Sequence, residues 1–411
     1  MPRSFERPPP MTPPRRLLLI TGLCGVVALT GMVPSTASAA FRKLYVSVRG
    51  SDAGRCTSAR PCRSFYRAYR VARLGQVVIV RGGTYGQQVL EGDGAKARSL
   101  ARAPDVVFRP APGARVTVKD LEIRVPHARF HKMRIVKWEA DYDVRDPQGY
   151  AAGDLTFRGI RTHHFSLTSV RNVRVIGGSV GPNRGAPSSS GRWPQDGMNI
   201  NAWPEDRRPP MNILIKGVRI HDVREPNSSA HSDCIQVTAG INVSIVRNRI
   251  WNCEHAGLMI KGDQGPIRGF RIENNYLGRT LSGFYSINLY QTSRGCRDVL
   301  MRNNTALQNI RLDSCWGGRM TGTIQPSMSS HTCSQARVKL SWNVFESGVR
   351  CGRTNRVARV RFVNRARFDL RLAYRSAAIN RGNPRNFARV DIMGAKRPKG
   401  RKPDAGAHER R

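Results

Sequence analysis

Two aspartates and a histidine in the middle of the chain have the types and spacing that proton-transfer chemistry needs. Asp196 and Asp233 each stand two residues before a short apolar alternation, and His255 adjoins the same position in the next repeated unit. Two carboxylates held close together either share a cation or hold a proton with a raised pKa. A protonated carboxyl beside an ionised one is the acid/base arrangement that cleaves glycosidic bonds. The candidate catalytic residues are therefore Asp196, Asp233, His255 and Lys261, the last as a partner for a substrate carboxylate.

The same residues also have a purely structural interpretation, which the sequence leaves open. An aspartate just before a strand often caps its own turn through its side-chain oxygens. Cys234 and Cys253 flank the candidates, so a disulfide that staples these repeats would explain the spacing equally well. A calcium ion takes about six to eight oxygen ligands. Only the two aspartates are evident as ligands here, so a calcium requirement stays undecided.

Further side chains near these positions are suited to hydrogen-bond with sugar hydroxyls or to stack on sugar rings. Amide, imidazole and phenol groups both donate and accept hydrogen bonds, and a tryptophan offers a broad apolar face. The candidate substrate-binding residues are Asn199, His231, Gln236, Asn288, Tyr285 and Trp193.

Two types of short strand alternate along the chain and recur at intervals of roughly 23 to 40 residues. Strands of the first type begin at residues 172, 212, 242, 269, 298 and 337, and the last four close with Asn248, Asn274, Asn303 and Asn343. Strands of the second type cover residues 196–201, 233–238, 257–262 and 286–291. Such repeats are typical of a solenoid in which each coil holds two or three short strands. Leucine-rich repeats and β-propellers need patterns that this sequence lacks.

Stacked coils would bring residues that are distant in sequence into columns. Adjacent strands lie about 4.8 Å apart and alternate residues face outwards, which predicts an outward row of Asn199, Gln236, Met259 and Asn288. A second column places Asp196 beside Asp233, followed by Ala256 and Tyr285. Recurring asparagines are expected to form hydrogen-bonded ladders along the axis.

The two ends of the chain differ from the repeats. Residues 44–85 hold a strand, a short amphipathic helix over Ser64–Leu74 and a second strand, which we expect to cover the open end of the solenoid. Residues 396–411 form a basic tail, and we predict mobility for its Pro- and Gly-containing stretch from Lys396 to Lys402. The domain organisation predicted is a signal peptide at 1–39, one repeat domain at 40–395 and this tail.

The N-terminal residues and the cysteines both indicate export. Two arginines precede an apolar run that ends in the small-residue cleavage signal Ala37-Ser38-Ala39. Beyond it, no segment is long and apolar enough to span a bilayer. The remaining eight cysteines suit an oxidising compartment and are expected to pair in sequence order, as Cys56, Cys62, Cys234, Cys253, Cys296, Cys315, Cys333 and Cys351. We expect a secreted, extracellular or cell-surface protein.

The chain is strongly basic, with 69 Lys and Arg residues against 28 Asp and Glu residues and a formal net charge of +41. Such a field attracts polyanions. For an exported protein these are an anionic polysaccharide, another cell-wall polymer or, outside the cell, DNA. A general preference for arginine in the sequence is the alternative explanation.

Both ends resemble a known group of proteins. Residues 44–85 (LYVSVRGSDAGRCTSARPCRSFYRAYRVARLGQVVIVRGGTY) and residues 368–384 with 403–409 resemble the N-terminal and closing segments of secreted right-handed parallel β-helix repeat proteins of the pectate-lyase-like superfamily. The resemblance implies an all-β fold, a single-stranded right-handed parallel β-helix with a short N-terminal capping helix. This superfamily contains lyases, hydrolases, epimerases and adhesins, so the fold does not decide the activity.

A narrower resemblance concerns the candidate site. Asp196-Gly197, Ser232-Asp233-Cys234 and Glu254-His255-Ala256-Gly257 are similar in order to the motifs of polygalacturonases. Ser232 stands where that family has the first of two paired aspartates, and no Arg-Ile-Lys motif follows.

These observations favour an exported monomer that acts on or binds an acidic polysaccharide, as a polysaccharide lyase or a glycoside hydrolase. The alternative is a non-catalytic surface or adhesive protein that holds wall polymer. Specific recognition of nucleic acid is not expected, because extracellular DNA would be bound through charge alone.

Overall fold

The chain winds as a right-handed parallel β-helix, in which nearly every strand pairs in parallel with the equivalent strand of the next coil. The computed structural model describes residues 42–410 except 93–95, 97–102, 142–151, 184–195, 203–207, 225–230, 291–294, 313–314 and 336. Residues Phe41–Arg411 form one compact unit. The all-β fold class predicted from the repeats is confirmed, and the predicted signal peptide lies outside the described residues.

Each coil, or rung, contributes strands to three faces. The first face holds β1 (Leu44–Val46), β2 (Val77–Val80), β4 (Val106–Pro110), β6 (Ala128–His131), β8 (Gly153–Arg158), β11 (Arg171–Ile176), β14 (Met211–Lys216), β17 (Gly240–Val246), β20 (Ile267–Arg268), β21 (Arg271–Glu273), β24 (Cys296–Arg297), β25 (Leu300–Arg302), β28 (Gly318–Thr321) and β30 (Val338–Ser341). This face corresponds to the first strand type of the sequence.

The second and third faces follow in each rung. Three early strands run across both: β3 (Gly83–Glu91), β5 (Val116–Arg124) and β7 (Arg134–Asp141). The second face continues with β9 (Arg161–Thr162), β12 (Ser179–Val180), β15 (Arg219–Val223), β18 (Arg249–Cys253), β22 (Tyr276–Leu277), β26 (Thr305–Ala306), β29 (Ile324–Met328), β31 (Val344–Gly348) and β32 (Arg356–Val357). The third face continues with β10 (His164–Thr168), β13 (Met198–Asn201), β16 (Ile235–Val237), β19 (Leu258–Lys261), β23 (Ile287–Tyr290) and β27 (Ile310–Leu312).

The interior is apolar and stacked in columns. Inward residues of successive rungs lie over one another, and in the N-terminal half this places Phe65, Phe108, Phe130 and Phe157 in one row with ring centroids 5.1 to 5.4 Å apart. Full burial of each such side chain contributes about 1.5–3 kcal/mol. Because a rung cannot bury its inner face alone, this core exists only when neighbouring rungs are in register.

Buried asparagines hold that register at the turn between the first and second faces, which we call the corner. Asn248, Asn275 and Asn304 occupy equivalent positions, and the side-chain oxygen of each accepts the backbone N–H of the preceding rung. Their Nδ2 groups donate to backbone carbonyls and, for Asn248 and Asn275, also to the next asparagine. Asn343 and Asn355 repeat the arrangement further on. Every one of these five side chains is buried.

The predicted ladder of asparagines is therefore confirmed. Two of its predicted members, Asn274 and Asn303, are wrong by one residue. Asn274 and Asn303 have positive φ angles and occupy the left-handed turn position, where Asn is tolerated because its short polar side chain bonds locally. The next residues, Asn275 and Asn304, point inwards and form the ladder. Both rungs carry two consecutive asparagines, so the strand pattern alone did not distinguish them.

The N-terminal cap agrees with the prediction. Helix α1 (Phe65–Val71) begins after Ser64, whose side chain accepts a hydrogen bond from the backbone N–H of Arg67 at 3.0 Å. Phe65 and Tyr69 are buried against the first rungs. A second short helix, α2 (Ser330–Gln335), lies between β29 and β30. No helix in the described part of the chain is long and apolar enough to cross a membrane.

The C-terminal residues fold back onto the corner of the late rungs, so the predicted mobility of the segment from residue 396 is wrong. After the antiparallel pair β33 (Phe362–Asn364) and β34 (Asp369–Leu372), the Arg397 side chain is completely buried. Its guanidinium lies 3.3 Å from the Glu409 carboxylate and donates to the Asn274 side chain and to two carbonyls. The tail is ordered because its few acidic residues neutralise and hydrogen-bond this arginine.

The four disulfides join the cysteines in sequence order, as predicted. They are Cys56–Cys62, Cys234–Cys253, Cys296–Cys315 and Cys333–Cys351. Three of the four bridges connect residues that are 18 or 19 positions apart in the sequence, which is close to the length of one rung.

Replacement of Asn275 by Ala tests the buried ladder. The substitution leaves the Asn248 backbone N–H without a partner and removes a donor from the Ile245 carbonyl, and each buried polar group left unsatisfied costs about 1–3 kcal/mol. We expect the free energy of unfolding to fall by at least about 2 kcal/mol in urea titrations followed by circular dichroism. Asn242→Gly is the matched control, because Asn242 is exposed and Gly269 already occupies its equivalent position in the next rung. Equal losses in the two variants would contradict the ladder's role.

Candidate functional site

The outward row of the third face has the register that the sequence indicates. Asn199 pairs with Gln236, Gln236 with Met259, and Met259 with Asn288. Asn199 and Gln236 are half-buried, whereas Met259 and Asn288 are buried. The Asn288 Oδ1 atom accepts no hydrogen bond from the described residues, while its Nδ2 lies 3.4 Å from the Met259 sulfur. The exposed part of this row is thus a strip of amides.

The two aspartates of the second column are neighbours, as the alignment indicates. Asp196 Oδ1 accepts the backbone N–H of Asp233 at 2.7 Å, and Asp233 Oδ1 accepts the backbone N–H of Ala256 at 2.7 Å. Asp196 is 4% exposed and Asp233 is 1% exposed. Each carboxylate therefore connects its own turn to the next rung by a hydrogen bond. This is the structural role expected of an aspartate that caps a turn.

Asp233 has a second partner, the imidazole of His255. The His255 Nδ1 atom lies 3.0 Å from Asp233 Oδ1, and the Gln236 side chain reaches Asp233 Oδ2 at 3.5 Å. A carboxylate at Nδ1 fixes the orientation of the ring and favours the tautomer with a proton on that nitrogen. In this arrangement the other ring nitrogen, Nε2, is the atom able to accept a proton.

Aromatic rings on both sides hold the His255 imidazole in place. His231 stacks on it with ring centroids 4.3 Å apart, and Phe284 stacks on it with centroids 3.8 Å apart. The Cys234–Cys253 disulfide joins the same two rungs next to Asp233 and close to His255. The His255 side chain keeps 13% of its surface exposed, so the ring is rigid and still reached by solvent.

The structure brings only some of the predicted site residues together. Asp196, Asp233, His255, His231 and Gln236 form one group. Tyr285 follows Phe284, against which its ring packs edge to face at 4.8 Å. Lys261 lies at the other end of β19, 3.3 Å from Asp263 Oδ2. Asn199 and Asn288 belong to the row on either side, and Trp193 lies outside the described residues.

A pair of glutamates that the sequence interpretation missed lies further along the same row. Glu122 and Glu139 pair across adjacent strands, and Glu139 leads through Ser166 to Asn199. Glu122 is held by Gln87 at 2.6 Å and by Arg124 at 3.1 Å. Burial raises the pKa of Glu139, partly opposed by Lys137 and reinforced by Glu122 and nearby aspartates.

Glu139, whose pKa is raised by burial, therefore lies beside a carboxyl that is hydrogen-bonded by an amide and a guanidinium. An ionised carboxylate beside one that retains its proton is suited to acid/base catalysis. The sequence carried one signal for the pair, the alternating polar positions of residues 120–124 and 137–141. The two recurring strand types are recognisable only from residue 172 and residue 196 onwards, and both glutamates precede these residues. Within the described residues, no group of three or more His, Cys, Asp or Glu side chains is placed to hold a metal ion.

Comparisons with known proteins find similarity only to solved structures, at low sequence identity. No protein-family model and no curated protein matches this chain. Among solved structures it is similar to the pectate lyase Pel9A, with 14% identity, a TM-score of 0.37 and coverage of 90% of this chain and 96% of that one. It is also similar to PfbA, a surface adhesin of Streptococcus pneumoniae, with 12% identity, a TM-score of 0.37 and coverage of 68% and 74%.

A rhamnogalacturonan lyase is a third such structure, with 10% identity, a TM-score of 0.32 and coverage of 74% of this chain and 87% of that one. Like the other two, it is a β-helix protein, and the likeness at these identities concerns the fold alone.

Replacement of Glu139 by Gln tests the buried carboxyl. A carboxyl whose pKa rises on folding stabilises the protein below its ordinary pKa of 4.5 and loses that contribution as pH rises through the raised value. We expect the melting temperature of Glu139→Gln to rise relative to that of the wild type between about pH 4 and pH 7, because only the wild type must ionise a buried group in this range. Thermal melts across this range measure the difference. A difference that is constant with pH would contradict the raised pKa.

Proposed function

We propose that this is an exported protein that binds an acidic polysaccharide along the third face and cleaves it with the Asp233–His255 pair. The hydrogen bond between the buried Asp233 carboxylate and His255 Nδ1 carries the proposal. It supplies a proton-accepting nitrogen held in a fixed direction, next to a strip of amides suited to sugar hydroxyls. A neutral imidazole oriented in this way is a common general base.

The chemistry that fits one imidazole is elimination from a uronic-acid residue. His255 Nε2 removes the proton from the carbon next to the carboxylate, and the C–H electron pair forms a carbon–carbon double bond. The glycosidic C–O bond breaks, and the departing oxygen takes a proton from the imidazolium, so the base returns to its starting state. Asp233 stabilises the positive charge that His255 carries between the two steps.

The other predicted residues would act on binding. Gln236 and Asn199 lie in the same row as the site and present amides to hydroxyl groups, and Tyr285 lies on the next rung. Lys261, at the far end of β19, would contact a carboxylate several sugar residues away from the bond that breaks. The proposal assigns these groups to affinity and orientation rather than to proton transfer.

The Glu122–Glu139 pair favours a second candidate, hydrolysis of a glycosidic bond. Glu139, with its raised pKa, would donate a proton to the leaving oxygen, and Glu122 would assist water or attack the sugar carbon directly. The products would carry a new reducing end and no double bond. This centre uses residues that the elimination mechanism leaves idle, so variants of the two sites can be compared.

A third candidate is a non-catalytic binder, favoured by the backbone contacts of the aspartates. Because Asp196 and Asp233 both accept backbone N–H groups of the next rung, their position is explained without any reaction. A surface or adhesive protein would use the same face for affinity alone.

The decisive experiment assays polygalacturonate, alginate and hyaluronan for new ultraviolet absorbance and for new reducing ends. His255→Phe preserves the stack between His231 and Phe284 but removes both ring nitrogens. We expect it to lower the rate of elimination by about a hundredfold or more, as loss of a general base does, with binding unchanged. Asp233→Asn retains an oxygen for the Ala256 N–H and should lower kcat while preserving affinity.

Glu139→Gln is the matched control in that assay, because it removes a carboxyl from the same face without touching His255. If reducing ends appear and only Glu139→Gln abolishes them, the hydrolytic centre is correct and the Asp233–His255 proposal is wrong. Binding without either product, unchanged in all three variants, would establish the non-catalytic protein instead.

A further inference from the structure

The corner between the first and second faces carries a sequence repeat that the candidate site does not use. Four successive rungs cross it with the segments His131–Arg134, Arg158–Arg161, Ile176–Ser179 and Lys216–Arg219, which read HKMR, RGIR, IGGS and KGVR. The first residues of these segments pair with one another across the rungs. So do their fourth residues. Two parallel rows of side chains therefore border the corner, one on each side.

Both rows carry cations, and the strip between them has short or no side chains in most rungs. Arg134, Arg161 and Arg219 lie on one side, and Arg158 and Lys216 lie on the other; all five are exposed. Between the rows, the left-handed turn position is Lys132 in the first segment and glycine in the other three. A Cβ atom at Gly177 or Gly217 would meet no other atom within 4 Å, so the floor is open there. We call this strip the basic trough.

The trough has the volume of a binding groove. An open groove of about 650 Å³ is lined by Arg115, Lys132, Arg134, Gly159 and Arg161. A second one, of about 560 Å³, continues over the next rungs past Gly177, Lys216, Gly217 and Arg219. It ends where the C-terminal segment crosses the corner, because there Arg247 and Arg249 donate to Ile392 and Met393.

The positive charge of the trough is not neutralised by the part of the protein that the structure describes. None of its cations forms an ion pair with a described acidic residue. The field is felt by the one histidine in the row: burial lowers the pKa of His131, and Arg129, Arg158, Arg109 and Lys132 lower it further. Clustered cations of this kind attract and hold anions.

We propose that the basic trough binds a single extended chain of a carboxylated polysaccharide that runs along the helix axis. Rungs repeat about every 4.8 Å, a spacing close to one sugar residue of an extended chain. Carboxylates two residues apart along the polymer would therefore meet the cation pairs Arg158/Arg161 and Lys216/Arg219, which one uncharged rung separates. Guanidinium groups form two parallel hydrogen bonds to a carboxylate. The strip between the two rows is one side chain wide, which fits a single polymer chain. This surface is separate from the third face and does not depend on the Asp233–His255 chemistry.

Removal of four trough cations tests the proposal. Arg134→Gln, Arg161→Gln, Lys216→Gln and Arg219→Gln are combined and compared with a control that removes the same charge elsewhere, Arg268→Gln, Arg297→Gln, Arg319→Gln and Lys339→Gln. The control residues are exposed cations of the first face. The probe is polygalacturonate, titrated by calorimetry over a series of salt concentrations.

We expect the trough variant to lose affinity about tenfold or more, and its log–log salt slope to fall by about one for each cation removed, as for other polyanions. The control should change the affinity less than about threefold. Equal losses in the two variants would show that net charge alone is responsible and would overturn the proposal. Equally effective competition by duplex DNA would overturn it as well.

The outcome is independent of the catalytic proposal. His255→Phe should bind polygalacturonate through the trough with unchanged affinity whether or not it turns the polymer over. Thermal melts of both fourfold variants should match the wild type, since every substituted side chain is exposed. A trough variant that melts normally and binds normally would end the proposal without affecting the third face.

Discussion

Every rung of this molecule is held to the next by the register of its parallel strands, and buried asparagines fix that register at one corner. Asn275, for example, accepts the backbone N–H of Asn248 in the preceding rung and donates to the Ile245 carbonyl at the same time. In a dry interior an unpaired backbone group costs more than a hydrogen bond contributes, so a rung that slips by one residue loses several partners at once. The apolar column behind it enforces the same register, because a slip by one residue would turn every inward side chain outwards.

All the functional proposals depend on this constraint. Asp233 meets His255 because their rungs are neighbours, although 22 residues separate them in sequence. The basic trough likewise includes two pairs of cations three residues apart, Arg158 with Arg161 and Lys216 with Arg219, and each pair lies on the two sides of a tight turn. The left-handed residue in that turn makes the corner narrow, and at Gly177 and Gly217 no side chain fills the space between the two rows. A local backbone requirement thus produces a continuous groove when it is repeated along the axis.

The segments at the two ends of the solenoid pack against the same stacked columns. At the start, α1 places Phe65 on the aromatic column and covers the first rungs. Near the end, the C-terminal segment satisfies asparagine side chains of the corner that would otherwise face solvent. The Arg397–Glu409 pair inside this segment is fully buried, and such pairs contribute little net stability while the loss of one partner is severe. Its effect is to fix where the segment lies, and therefore where the open part of the trough stops.

The sequence predicted well the features that follow from the alternation and repeat of its residues. It predicted poorly the features that depend on which residues become neighbours in three dimensions. The second strand type gave the correct row from Asn199 to Asn288, because alternation decides which side chains face outwards. Ser64 marked the start of α1 because its hydroxyl caps the helix. Asn274 and Asn275 both fit the strand pattern, and only backbone conformation separates them. The order of residues 396–410 was missed because a basic segment looks solvated until its arginine finds buried acceptors.

Glu139 was missed for a related reason, and its surroundings also bear on which reaction belongs to which place. Asp120, Glu122, Glu139 and Asp141 lie on the same or adjacent outward rows, and Lys137 and Arg124 pair with only two of them, Asp120 and Glu122. This end of the third face is therefore less favourable for an acidic chain. Towards Asp233 the row changes to Ser166, Asn199 and Gln236, which carry no charge, and a uronate chain can approach. Like charges within a few ångströms disfavour an anionic ligand, whereas amides do not. An acidic polymer therefore fits the Asp233–His255 end of the face, and a hydrolytic reaction at Glu122 and Glu139 would require a chain that is locally uncharged.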